Sequence, residues 1–162
     1  MQRLQILENI WYCAAHSAEL TAKPLARVIC GIPMVLYRGE SGAVAALEDR
    51  CPHRQAPLSM GAVLGDHIQC NYHGLVFDQK GACVHIPRQD QIPSNTGIKA
   101  FTTIERWGFI WLWWGDQQKV DTSTIPDLPW THDANRQAVY FHFDNTKRPC
   151  PAFPLLPPLR AP

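Results

Sequence analysis

Two short clusters of cysteine and histidine constrain this chain more than any other part of its sequence. The first, residues 51–54, reads Cys-Pro-His-Arg, and the second, residues 70–74, reads Cys-Asn-Tyr-His-Gly. Each cluster offers one thiolate and one imidazole within a tight loop, so two such loops side by side supply two of each. Thiolates and imidazoles are strong ligands for transition metals. We therefore expect four metal ligands: Cys51, His53, Cys70 and His73.

The order of the two residue types distinguishes between two kinds of metal site. A mononuclear zinc site would use the same side chains, but zinc motifs commonly pair Cys with Cys and His with His. Alternation of Cys and His in both loops favours a Rieske [2Fe–2S] cluster, in which His replaces Cys on one of the two irons. Cys51 and Cys70 would then bind one iron, and His53 and His73 the other. A β domain stabilised by a single zinc ion is the alternative.

Composition and charge exclude several other functions. With a net charge of +1 and no run of basic residues, the chain gives no support for nucleic-acid binding or adsorption to a membrane. Its apolar runs are far shorter than the about 18–20 residues that a membrane helix needs. The first nine residues have no apolar core of a secretory signal, so we expect a cytoplasmic protein whose six cysteines form no disulfide framework.

Short apolar segments separated by turn residues predict an all-β domain of antiparallel sheets. A hairpin is expected around residues 79–82, where Gly81 supplies the turn. Helix is confined to one or two turns near residues 17–20. The predicted strands cover residues 25–30, 33–38, 43–47, 75–78, 83–86, 99–106, 108–114 and 137–144.

Residues 9–130 resemble the N-terminal part of the large subunit of Rieske non-haem iron oxygenases, which hydroxylate aromatic rings or remove O-methyl groups. Within that family the sequence resembles the vanillate O-demethylase branch, with its phenoxybenzoate and toluenesulfonate relatives. The resemblance implies electron supply by a flavin and iron–sulfur reductase or a ferredoxin, and an assembly that is commonly trimeric. It is carried by residues 9–12, 47–59, 70–78, 107–115 and 125–127.

The other Rieske class, in quinol-oxidising complexes, differs at four positions of the same loops. Proteins of that class have an additional Cys in each loop, where this chain has Ala56 and Tyr72. They also have hydrogen-bond donors where this chain has Leu75 and Phe77. Fewer donors toward the cluster sulfurs stabilise the reduced state less. We therefore expect a reduction potential near the low end of the Rieske range.

The resemblance also implies a second metal that this sequence does not provide for. In the full-length family a mononuclear Fe(II) is bound by two His and one carboxylate in a C-terminal domain. Residues 143–145 resemble a strand that precedes those ligands, yet no His follows His142 and no acidic residue follows Asp144. We therefore expect a truncated or frame-shifted large subunit that transfers electrons without activating oxygen. A stand-alone, ferredoxin-like Rieske carrier is the alternative.

Three segments follow from these patterns. Residues 1–136 are predicted to be the Rieske domain, and residues 137–145 the first strand of an otherwise missing catalytic domain. The last 17 residues, 146–162, contain six prolines and no acidic residue. Proline at this density neither pairs in a sheet nor continues a helix, so we expect a disordered tail.

Overall fold

Eleven short β-strands form the framework of the part of the chain that the structure describes. The structure, a computed structural model, describes residues 6–128 and residue 131. Strands are connected by tight loops and by four single 3₁₀ turns, Ser17–Glu19, Leu58–Met60, Gln117–Lys119 and Thr122–Thr124. The strands are β1 Ile10–His16, β2 Leu25–Ile29, β3 Ile32–Arg38, β4 Val44–Glu48, β5 Ala62–Leu64, β6 His67–Gln69, β7 Val76–Phe77, β8 Cys83–His85, β9 Ala100–Phe101, β10 Thr103–Arg106 and β11 Phe109–Trp114.

The strands form three antiparallel sheets, which confirms the predicted all-β class. Their orders are β1-β11-β10, β2-β3-β4-β9 and β5-β6-β7-β8. The second sheet leads into the first Cys/His loop after β4, and the third sheet contains the second Cys/His loop between β6 and β7. Sheet architecture therefore fixes where each Cys/His loop begins.

The prediction of one continuous strand over residues 99–106 was wrong, because the chain changes sheets in the middle of it. Ala100–Phe101 pairs with β4, whereas Thr103–Arg106 pairs with β11. Thr102 lies between the two strands, and its carbonyl accepts a hydrogen bond of 2.9 Å from the Trp113 N–H. Strand-favouring residues run across the division at 101–104, so only tertiary pairing reveals it.

The predicted hairpin around Gly81 is confirmed. β7 and β8 pair across it, and the Asp78 carboxylate accepts hydrogen bonds from the N–H groups of Lys80 and Ala82. Gly81 has φ +81°, and a Cβ built there would lie 2.1 Å from the carbonyl oxygen of Ile98. Both the backbone angle and the close approach require glycine.

Apolar side chains form three clusters, one of which contains the cysteines of both predicted ligand loops. We call this cluster, in which Cys51 and Cys70 pack with residues of β3, β4, β6 and β7, the thiol core. A second cluster lies between the first two sheets, and a third is centred on Trp11, Trp111 and Trp113. Trp111 and Trp113, both on β11, are therefore part of the core.

Other expectations concern the ends of the chain. The strand predicted at residues 137–144 and the tail at 146–162 lie outside the described residues. No helix in the described part of the chain is long and apolar enough to cross a membrane.

Candidate metal centre

The two Cys/His loops have the same backbone hydrogen-bond pattern. In the first, the Cys51 N–H donates to the Ala56 carbonyl at 2.9 Å, and the Cys51 carbonyl accepts from the Gln55 N–H at 2.9 Å. In the second, the Cys70 N–H donates to the Leu75 carbonyl at 2.8 Å, and its carbonyl accepts from the Gly74 N–H at 3.0 Å. Each cysteine is therefore fixed at both of its backbone groups by its own loop.

This pattern requires a left-handed backbone at the fifth residue of each loop. Gln55 has φ +61° and Gly74 has φ +76°. At Gly74 a Cβ would lie 3.0 Å from the Pro87 Cγ, so glycine also leaves room for the neighbouring loop. Gly74 therefore shapes the second loop through both its backbone angle and its lack of a side chain.

The two thiols lie together in the protein interior. Cys51 and Cys70 are each 1% exposed, and their side chains are within hydrogen-bond reach of each other. Burial raises the pKa of the Cys51 thiol and the Cys70 thiol raises it further, whereas backbone N–H groups of His53 and Arg54 that donate to the Cys51 sulfur lower it. A metal cation would supply the positive charge that a buried thiolate pair lacks.

The two imidazoles lie together at the surface. The ring centroids of His53 and His73 are 4.5 Å apart and the rings are inclined by 63°. The Tyr72 ring covers His73 at a centroid distance of 3.9 Å and is itself 63% exposed. A cavity of about 730 Å³ opens beside His53 and His73, bounded on its other side by the loop around Pro87 and Arg88.

The donors therefore form two pairs, one of sulfur and one of nitrogen. Among the residues that the structure describes, no group of three or more His, Cys, Asp or Glu side chains surrounds a single point. A pair of thiols beside a pair of imidazoles is the ligand set of two adjacent metal ions with different preferences. The residues present fit a two-iron cluster of the Rieske type better than one zinc ion.

Leu75 and Phe77 belong to the same buried cluster as the thiols, and their side chains offer no hydrogen bond. Both side chains are buried in the thiol core, and Leu75 also lines the cavity beside His53 and His73. Their apolar side chains keep water from the sulfur side of the site. Two other histidines, His67 on β6 and His85 on β8, lie outside both loops.

Two residues next to the first loop were missed by reasoning from the sequence. The Asp49 carboxylate accepts from the Ser59 N–H at 2.7 Å and from the Ser59 hydroxyl at 2.6 Å. Ten positions separate these residues, so no local capping pattern relates them. Only the folded loop between them reveals the contact.

Comparisons with known proteins agree with this geometry. Residues 10–101 match the family model described as the Rieske [2Fe–2S] domain. The oxygenase component of dicamba O-demethylase from Stenotrophomonas maltophilia is 44% identical over 144 residues, which are 87% of this chain and 42% of that protein. The vanillate O-demethylase oxygenase subunit of Pseudomonas sp. strain HR199 is 44% identical over 123 residues, 76% of this chain and 34% of that protein.

A solved structure gives the same result at the level of the fold. The crystal structure of dicamba monooxygenase bound to dicamba superposes with a TM-score of 0.75 and 46% identity, over 78% of this chain and 38% of that one. The chain thus spans less than half the length of the relatives that it matches. The expected similarity to the vanillate O-demethylase branch is confirmed.

Proposed function

The chain belongs to the Rieske [2Fe–2S] domain family, and from this premise we propose that it is the electron-transfer part of an aromatic-ring oxygenase or O-demethylase. It would take electrons from a reductase and pass them toward a mononuclear iron bound elsewhere. The observation that carries the proposal is the arrangement of a buried thiol pair behind an exposed imidazole pair. This arrangement connects the protein interior to its surface within one metal site.

We propose that Cys51 and Cys70 bind one iron of the cluster and that His53 and His73 bind the other. When bound, the cluster stores and releases one electron. The chain's own residues supply the environment: the thiol core excludes water from the sulfur side, and backbone N–H groups of His53 and Arg54 donate toward the Cys51 sulfur. These donors favour negative charge on the sulfur, as a thiolate ligand requires.

The exposed imidazoles define the route for electron exchange. A histidine that ligates through one ring nitrogen keeps an N–H on the other, which can donate to a partner protein. His53 and His73 line the cavity and are exposed, so such a donor is accessible to another chain. We infer that the partner's redox group approaches from this side.

The proposed donor is a flavin and iron–sulfur reductase or a ferredoxin, and the proposed assembly is a trimer. Support for separate electron-donating proteins comes from the name "oxygenase component" of the dicamba relative. Reduction of the purified protein by NADH plus a candidate reductase tests the donor. Sedimentation of the metal-loaded protein tests the trimer, and a monodisperse monomer at micromolar concentration would contradict it.

We propose that the Rieske domain extends from residue 1 to residue 136, beyond the family match. The indole N–H of Trp11 donates to the Asp121 carbonyl at 2.8 Å, and Ile125 is buried in the tryptophan cluster. β11 also pairs with β1, so residues after 101 complete the sheet on which the domain begins. Limited proteolysis with mass spectrometry tests this boundary.

Metal analysis of the purified protein tests the proposed site. We expect about two irons and two acid-labile sulfides per chain, and a rhombic electron paramagnetic resonance signal after reduction. His53→Ala or His73→Ala should abolish the cluster, whereas the matched variants His67→Ala and His85→Ala should retain it. A colourless protein with one zinc ion, or a cluster that survives loss of either proposed histidine, would contradict the proposal.

A further inference from the structure

The two Cys/His loops differ in how their ends are held. The second loop closes a pair of hydrogen-bonded strands, because Gln69 of β6 lies opposite Val76 of β7. The first loop has no such pairing, since β4 pairs with β3 and β9 whereas β5 pairs with β6. Beyond the backbone bonds within the loop itself, the segments that flank the first loop are therefore held by contacts other than strand pairing.

One such contact is made by a single carboxylate. Asp49, two residues before Cys51, accepts both the N–H and the hydroxyl of Ser59. The Asp49 N–H in turn donates to the Pro33 carbonyl at 3.0 Å, which fixes Asp49 against β3. The chain from β4 to the 3₁₀ turn is therefore closed at its base by side-chain bonds, where the second loop is closed by strand pairing.

We propose that Asp49, through Ser59, is a positioning residue that holds the first ligand loop in its metal-binding geometry. The proposal deepens the proposed function and rests on it, because it requires that Cys51 and His53 bind the cluster. Asp49 touches neither thiol nor imidazole in the hydrogen bonds described; its effect is transmitted by the loop backbone.

Two physical features make the contact suitable for this role. Hydrogen bonds to an ionised carboxylate are shorter and stronger than neutral ones, and the two distances, 2.7 and 2.6 Å, are in the charge-assisted range. Leu58, adjacent to Ser59, is fully buried in the thiol core with Cys51. Closing the loop at Ser59 therefore also fixes an apolar side chain that packs beside the ligand.

The chain contains a matched control for this contact. Asp66 accepts from the Ser41 N–H at 2.9 Å and from the Ser41 hydroxyl at 2.7 Å, the same pair of donors. Ser41 lies in the turn between β3 and β4, which carries no proposed ligand. Removing either serine hydroxyl deletes the same kind of bond, but only one of the two supports a ligand loop.

The test compares Ser59→Ala, Ser59→Thr and Ser41→Ala in the cluster-loaded protein. The readouts are the rate of iron loss to a chelator, followed by the visible absorbance, and the g-values of the reduced protein. We expect Ser59→Ala to lose iron about tenfold faster and to show shifted g-values, because a bond to a charged group is removed. Ser59→Thr, which keeps the hydroxyl, and Ser41→Ala should remain within about twofold of the parent.

The outcomes separate this proposal from the function on which it rests. A parent protein that binds no [2Fe–2S] cluster refutes the proposed function. If the parent binds a normal cluster and Ser59→Ala behaves like Ser41→Ala, only the positioning role of Asp49 is overturned and the proposed function stands. Asp49→Asn is a second variant at the carboxylate itself, and parent-like iron loss in both Asp49→Asn and Ser59→Ala would also overturn it.

Discussion

Replacing Leu75 by threonine should raise the reduction potential of the proposed cluster. Leu75 is 5% exposed, packs in the thiol core and lines the cavity beside His53 and His73, so it borders both halves of the site. Its carbonyl accepts the Cys70 N–H, which holds its backbone next to a proposed ligand. A hydroxyl at this position can donate toward sulfur that carries more negative charge after reduction.

The expected size of the effect follows from the strength of such a bond. A hydrogen bond to a charged group is worth roughly 1.5–3 kcal/mol. If about half of it is specific to the reduced state, the potential rises by roughly 30–65 mV, since 1.36 kcal/mol corresponds to about 59 mV for one electron. Removing one buried methylene costs about 1 kcal/mol of folding stability in either variant. Burying the threonine hydroxyl costs roughly 1–3 kcal/mol more unless it bonds the sulfur, and the sum stays within the stability of most domains.

Leu75→Val is the matched control, because valine has the shape of threonine without its hydroxyl. Redox titration monitored by electron paramagnetic resonance gives all three potentials. We expect the reduction potential of the parent to lie below about +150 mV, within a Rieske range of about −150 to +300 mV. The potential of Leu75→Val should be close to that of the parent, and the potential of Leu75→Thr should be higher than both. Equal potentials for the threonine and valine variants, or a parent above about +150 mV, would refute the argument from missing donors.

Further predictions concern stability and activity. The Arg38 guanidinium bonds the Glu105 carboxyl and lowers its pKa. The pair therefore stabilises the fold at pH values above the ordinary carboxyl pKa, and this stabilisation is lost as the pH falls through the lowered pKa of Glu105. Glu105→Gln should therefore reduce the free energy of unfolding at pH 7 by less than about 1 kcal/mol and should weaken the acid dependence of that free energy. Denaturant titrations in which the variant loses more stability at low pH than at pH 7 would contradict this. Gly81→Ala should lower the melting temperature markedly, because it combines a left-handed backbone with a Cβ 2.1 Å from the Ile98 carbonyl; an unchanged melting curve would show that the turn relaxes. The 162-residue chain expressed alone should accept electrons without substrate-dependent oxygen uptake, because no histidine or carboxylate follows Asp144; stoichiometric oxygen uptake with an aromatic acid would contradict this.

The sequence was informative where chemistry fixes local spacing. Both Cys/His loops place their ligands within four residues, so the expected pairs Cys51 with Cys70 and His53 with His73 could be written down before any fold was known. The structure brings both pairs together. The Gly81 hairpin was equally predictable, because a turn signal acts over only a few residues.

Sequence reasoning failed where the determining contact is distant or the element is very short. β5 and β6 have three residues each, too few for an alternating pattern to emerge, and they were not predicted. β1 was missed as well, because its pairing with β11 joins opposite ends of the domain. The contact of Asp49 with Ser59 depends on closure of the loop between them, which no pattern of residue types encodes.

The two ligand loops reach the same backbone pattern from different local sequences, and this explains why their supports differ. The second loop has glycine at its left-handed position and is flanked by paired strands, so its geometry is accessible at little local cost. The first has Gln55 at that position, where a side chain costs roughly 1–2 kcal/mol, and its flanking segments do not pair with each other. An unfavourable backbone persists only where the surroundings over-determine it. The charge-assisted contact of Asp49 with Ser59 occurs in the loop that needs it, and the second loop is already held by its strands.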